Sequence, residues 1–280
     1  TDLDSRGIAG VERTFDDTLR NRGQAVDLSI DIRLQAIVRE ELAAAIDEFQ
    51  ALGGGGLVLD VNTGETLAMV SMPDFDPNQA ETLRGDVGFN RVAKGVYEMG
   101  STFKLLTAAM ALDTGTVTLD SGYDASKPIR VARFTINDFH PENRWLSVPE
   151  ILIHSSNIGA AKMALDVGGE MQRRYLDRFG LLNASAVELP EVGRPLVPAH
   201  WREINTMTIS YGHGIAVSPL QLASAVGALV NGGVRYEPTL LKHRAGTPMA
   251  GEQAVSEATS RKMRGLMELV VQQGTGKNAQ

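Results

Sequence analysis

The chain has 280 residues, 43% hydrophobic and 22% charged, a composition that supports a sizeable buried core in one large domain or two lobes and excludes wholesale disorder. Its net charge of -7 argues against nucleic acid or an anionic membrane surface as the main partner and favours a small or neutral ligand. Cysteine is absent and the five histidines are scattered without ligand-like pairs, so disulfides and thiolate catalysis are excluded, no metal site is expected and no cofactor is implied.

Residues 1–28 are polar and mixed and read as a connector; the acidic start Thr1-Asp2-Leu3-Asp4 is not a signal peptide, and no apolar run is long enough to span a bilayer. From Asp31, a plausible N-cap, Leu34, Ile37, Val38, Leu42, Ala45, Ile46 and Phe49 follow helical spacing, and Gly53 to Gly56 are expected to end that helix. Leu57–Val61 and Thr66–Val70, joined through Asn62-Thr63-Gly64-Glu65, read as an antiparallel hairpin. A loop is expected from Pro73 to Pro77, with few periodic signals from there to Gly100. An apolar run, Leu105 to Leu112, predicts a helix closing near Gly115.

Residues 116–147 are polar and turn-rich, an irregular connection with short strands. A second helix is expected from Ser155 or Ser156, with Ile158, Ala161, Leu165 and Val167 toward the core. Ser218-Pro219 is a strong helix start, followed by Leu220, Leu222, Ala223, Val226 and Leu229 up to Gly232-Gly233. A last helix spans about Ser256 to Gln272, with Met263, Leu266, Met267 and Val270 on one stripe. The order of elements predicts an α+β fold, a sheet beside a helical lobe.

Two constellations carry chemistry. Ser101-Thr102-Phe103-Lys104 stands at the mouth of the apolar helix, where residues three apart share a face, so the lysine amine can reach the serine hydroxyl. A serine hydroxyl needs a base to become a nucleophile, and a desolvated lysine can serve. Ser155-Ser156-Asn157 opens the second helix with a hydroxyl able to relay a proton and an amide able both to donate to and accept from a bound peptide. Taken singly, each motif is read as well by ordinary capping residues; chance placement of the chain's serines and lysines gives roughly 0.4 Ser-x-x-Lys pairs.

Together, Ser-x-x-Lys followed by Ser-x-Asn is the order found in penicillin-recognising serine enzymes. Gly10–Leu19, Glu98–Lys104, Ser155–Gly159 and Tyr211–Leu222 resemble class B penicillin-binding proteins, above all the division-specific transpeptidases, over nearly the whole chain. The resemblance implies the penicillin-binding/β-lactamase-like transpeptidase fold, with a connector at 1–28 and a transpeptidase domain at 29–280. It implies a peptidoglycan D,D-transpeptidase with Ser101 as nucleophile, Lys104 as base, Ser155 as proton relay and Asn157 holding the donor's backbone amide. Lys104 must be neutral to act, which predicts burial and a neighbouring positive group that lower its pKa. Tyr211, Gly212 and His213 are expected to line the substrate cleft, with Glu98 at its edge. The partners implied are peptidoglycan stem peptides, β-lactams, a septal glycosyltransferase and divisome membrane proteins; the location implied is the periplasmic face of the inner membrane, through an N-terminal anchor.

One family motif, Lys-Ser/Thr-Gly, occurs nowhere in these residues, and Gly274-Thr275-Gly276-Lys277 resembles the segment shortly before it. The chain is therefore expected to stop short of that strand, to fold poorly or aggregate, and to show little turnover by itself, since losing even one oxyanion donor costs on the order of 100- to 1000-fold in rate. The competing readings are a serine β-lactamase or D,D-carboxypeptidase, with water as acceptor, and a non-catalytic penicillin-binding sensor or scaffold module.

Overall fold

The computed structural model describes residues 6–279 apart from 22, 77, 78, 80–84, 245, 247 and 248, so the expected loop end at Pro77 lies outside the described residues. Within the expected connector, α1 (Gly10–Thr14) and α2 (Asp16–Asn21) are short helices. Helix α3 (Ile32–Glu48) starts where expected, with the Asp31 side chain accepting from the Arg33 N–H. Its inner stripe is Leu34, Val38, Leu42, Ala45 and Ile46, whereas Ile37 and Phe49, both expected on that stripe, face solvent.

Strand β1 (Gly54–Leu59) pairs antiparallel with β2 (Thr66–Met72), Gly54 opposite Met72 and Val58 opposite Ala68. The glycine run therefore does not separate helix from strand; it forms the first half of the strand. The reason is steric: a Cβ on Gly54 would stand 2.9 Å from Leu42 Cδ1, and one on Gly56 2.7 Å from Val38 Cγ1, so bare backbone lets α3 lie close on the hairpin. Beneath the pair sits a small core of Val92, Ala93, Val187, Leu220 and Leu240, joined by Leu57 and Met69.

The helical lobe is built around α4 (Phe103–Asp113), which a 3₁₀ turn at Gly100–Thr102 leads into. Phe103, Leu106 and Ala108–Leu112 are buried, so the helix is surrounded on nearly all sides, as an almost uninterrupted apolar run requires. Residues 116–147 hold short strands as expected: β3 (Gly122–Asp124) pairs with β6 (Trp145–Ser147), and β4 (Ile129–Val131) with β5 (Phe134–Ile136).

A helix with no counterpart in the sequence reading follows, α5 (Val148–Ile153), started by a capping box between Ser147 and Glu150. Helix α6 (Asn157–Val167) then takes Ser156 as its N-cap, the hydroxyl accepting from the Gly159 N–H; Ser155 lies outside the helix, with a φ of 54°. Two more helices went unread in the sequence, α7 (Gly169–Arg178) and α8 (Glu203–Ile209). Their apolar residues are sparse, and they meet partly through polar contacts: buried Gln172 donates to the Thr206 carbonyl (3.0 Å) and accepts from the Trp201 indole (3.2 Å).

Helix α9 (Pro219–Val230) begins with the expected Ser218 cap, here a full capping box with Gln221. After β7 (Val234–Tyr236) and its partner β8 (Gly251–Gln253), α10 (Glu257–Gln273) packs against α4, α5 and α9. Leu106, Met110, Ile151, Met163, Leu176 and Leu229 meet in the main core. Among the described residues no helix is long and apolar enough to cross a membrane, and no group of three or more His, Asp or Glu side chains is arranged to hold a metal ion.

Candidate active site

Ser101 sits in the 3₁₀ turn, exposed, and Lys104 one turn on, in the first turn of α4, where its side chain is only 3% exposed. The Lys104 Nζ donates to Ser101 Oγ (3.1 Å), to the Ser155 carbonyl (2.5 Å) and to Ser155 Oγ (2.8 Å). An ammonium has three hydrogens, and all three are engaged. Ser155 Oγ in turn donates to Ser101 Oγ at 3.0 Å, closing a triangle of two hydroxyls and an amine. The left-handed backbone at Ser155 makes this possible, since it turns that residue's carbonyl and hydroxyl to the same amine.

Burial lowers the Lys104 pKa from its usual 10.5 to about 8. The expected positive neighbour is not what acts on it: the charge felt there is the carboxylate of Asp138, which opposes the shift. Once the amine is neutral, two N–H groups still reach Ser155 while its lone pair faces the Ser101 hydroxyl, the arrangement a general base requires.

Asp138 follows β5 by two residues. One of its oxygens accepts from Ser156 Oγ (2.8 Å) and the other from the Ile158 N–H (2.9 Å), while the preceding carbonyl, that of Asn137, accepts from the Asn157 side-chain amide (2.9 Å). Nothing in the sequence singles out Asn137 and Asp138 within a tract dense in polar residues; the signal available is an Asx pair just past a short β run.

A cleft of about 190 Å³ opens at the triangle, lined by Ser101, Lys104, Leu105, Leu152 and Ser155, with Val270 and Thr275 reaching in from α10 and the turn after it. None of the other four expected site residues, Glu98, Tyr211, Gly212 and His213, is among the residues that line this cleft. Gly212 carries φ 76°, and its carbonyl accepts from the Gly100 N–H at 3.3 Å. Glu98 accepts from the Gly214 N–H (2.8 Å) and lies 2.7 Å from His213 Nδ1, so these two side chains bind each other. Tyr211 is half-buried against Ile136, Ala161 and Met207, and burial pushes its phenol pKa up. A larger cavity of about 620 Å³ between α2 and the residues following β7 lies away from the triangle.

A buried lysine poised between two serine hydroxyls is an arrangement that can turn a serine into a nucleophile. Residues 54–280 match the family model described as the penicillin binding protein transpeptidase domain, and the chain belongs to that family. It is 43% identical over 279 residues to the "Probable peptidoglycan D,D-transpeptidase FtsI" of Caulobacter vibrioides, covering 98% of this chain and 47% of that protein. With the peptidoglycan D,D-transpeptidase FtsI of Escherichia coli K12 it shares 32% identity over 303 residues, 99% of this chain and 51% of that one. The chain thus spans about half the length of these curated relatives. Among solved structures, the transpeptidase domain of Burkholderia pseudomallei penicillin-binding protein 3 aligns with a TM-score of 0.82 at 33% identity, over 91% of this chain and 73% of the other. The α+β transpeptidase fold expected from the sequence is the fold observed.

Proposed function

We propose that this chain is the transpeptidase domain of a septal peptidoglycan D,D-transpeptidase, with residues 1–28 as a connector and 29–280 as the catalytic domain. The observation that carries this reading is the Ser101–Lys104–Ser155 triangle, held at 2.8 to 3.1 Å between side-chain atoms, in a chain of this family. The names of the FtsI relatives support the substrate and the role in division.

Ser101 Oγ attacks the carbonyl carbon of the penultimate D-Ala of a donor stem as its proton passes to neutral Lys104. The tetrahedral intermediate collapses, the C–N bond breaks, and the departing D-Ala amine takes up that proton by way of Ser155 Oγ, which touches both the lysine and the nucleophile. Asn157 holds the donor's backbone amide. An amine on a neighbouring stem then attacks the ester and releases Ser101 with its proton. A β-lactam enters by the same first step and stays as an ester on Ser101. Tyr211, Gly212, His213 and Glu98, outside the small cleft at the triangle, extend the substrate-binding face beyond Gly100. The setting that fits is the periplasmic face of the inner membrane, beside a septal glycosyltransferase and divisome membrane proteins.

The test is Ser101→Ala in the full natural polypeptide that carries these residues. Covalent labelling by a fluorescent penicillin and stem-peptide crosslinking are both expected to vanish while the fold persists, since Ser101 is exposed. Labelling that survives the substitution would sink the mechanism, and rapid release of the penicilloyl group by the unsubstituted protein would mean a β-lactamase instead.

A further inference from the structure

Three successive residues of the catalytic turn are tied to other parts of the protein. Ser155 receives Lys104 through its carbonyl and hydroxyl. Ser156 Oγ and the Ile158 N–H both end on Asp138, and the Asn157 amide ends on the Asn137 carbonyl. The segment Asn137-Asp138, which follows the β4–β5 hairpin, therefore also grips the turn, while contributing no group to the triangle itself.

We propose that Asp138 is a positioning residue for acyl transfer: its two carboxylate oxygens fix the Ser156–Ile158 turn, and with it Ser155, against Lys104. This rests on the reading of Ser101 and Lys104 as nucleophile and base. Among the described residues, those that line the cleft with Lys104 are uncharged: Ser101 and Thr102 from the 3₁₀ turn, Leu105 from α4, Leu152 from α5, Ser155 from the turn before α6, and Val270 and Thr275 from α10 and the residues after it. Asp138 favours the ammonium, while burial favours the neutral amine, so the pair sets how much free base is present near neutral pH. A carboxylate that also caps α6 ties this balance to the helix carrying Asn157.

Charge and grip are separable. Asp138→Asn keeps the shape and one accepting oxygen but removes the charge; Ser156→Ala removes one of the two grips and keeps the charge. With lysine side chains labelled with ¹³C, and the Lys104 signal assigned by its loss in Lys104→Met, the amine is titrated by NMR in the 280-residue chain. Its midpoint is expected to fall by about half a pH unit or more in Asp138→Asn and to stay put in Ser156→Ala. In the full natural polypeptide, penicillin labelling at neutral pH is expected to slow about tenfold in both, because small displacements of a catalytic group are costly.

An unchanged midpoint in Asp138→Asn, or an equal fall in both variants, overturns the proposal. Should Asp138→Asn fail to fold, Asp138→Ser carries the same titration; a chain that folds with neither makes Asp138 purely structural and overturns it too. Failure of this inference is distinct from failure of the functional reading. Labelling that persists in Ser101→Ala sinks the latter, whereas silent Ser101→Ala beside an Asp138→Asn that titrates like the parent sinks the former alone.

Discussion

Gly212 packs so tightly on Gly100 that a Cβ added to it would stand 2.2 Å from the Gly100 carbonyl oxygen and 2.6 Å from its nitrogen. No side-chain rotation relieves that contact, because both atoms belong to the backbone one residue before the nucleophile. The φ of 76° at Gly212 adds a second penalty for any L side chain. Gly212→Ala is expected to lose about 2 kcal/mol or more of unfolding free energy in urea titrations, from strain and overpacking together. Penicillin labelling of Ser101 should fall more steeply than stability does, since the displaced atoms lead directly into the catalytic turn.

Lys104 makes stability depend on alkaline pH. Between about 8 and 10.5 the unfolded chain holds a proton on this amine that the folded chain has released. Unfolding then takes up a proton, so raising the pH through that window stabilises the fold, by up to about 3 kcal/mol if the full shift is realised. Below the folded value both states are protonated and the cost of burying the charge is constant. Lys104→Met removes this titration, and the difference in unfolding free energy between it and the parent should slope in favour of the parent from pH 8 upward. The acylation rate should rise over the same lower limb, as the neutral amine becomes available.

The Glu98–His213 pair offers a contrast, with side chains 47% and 65% exposed. Water and salt screen such a pair, and Glu98→Gln keeps an oxygen for the Gly214 N–H, so its cost is expected to stay below about 1 kcal/mol. Unfolding curves of the parent and Glu98→Gln at low salt and in 0.5 M salt, where the Debye length is about 4 Å, check that bound and show how much of the cost is screened charge. A loss that persists at high salt would show that Glu98 holds His213 and the Gly214 N–H by hydrogen bonding alone.

The parts legible in the sequence were those whose signals are local. Helices α9 and α10 start at serines with their partners three residues on, and α4 is an apolar run after a glycine; each lies within a residue or two of its expected bounds. Ser101 and Lys104 were readable because one turn of helix fixes their separation. Their closure with Ser155 joins residues 51 and 54 positions apart, and was reached through the order of two motifs and a family resemblance. Gly54–Gly56 misled because glycines next to a helix read as a stop, whereas the approach of Val38 and Leu42 is a tertiary requirement invisible to spacing. Helix α7 hid because its buried face includes Gln172, polar in sequence and satisfied only by Thr206 and Trp201 from elsewhere. The burial and lowered pKa of Lys104 were expected from its role, but the neighbouring charge was not: Asp138 comes from a distant segment and acts with the opposite sign to the positive group expected.

The left-handed bend at Ser155 restricts which alcohol the site can use. A second substituent on the β-carbon crowds the main chain when φ is near +54°, so threonine, which offers the same hydroxyl, is disfavoured at this position by geometry rather than by reactivity. The interchange that elsewhere leaves a hydroxyl's chemistry intact carries a backbone cost here, which favours a primary alcohol.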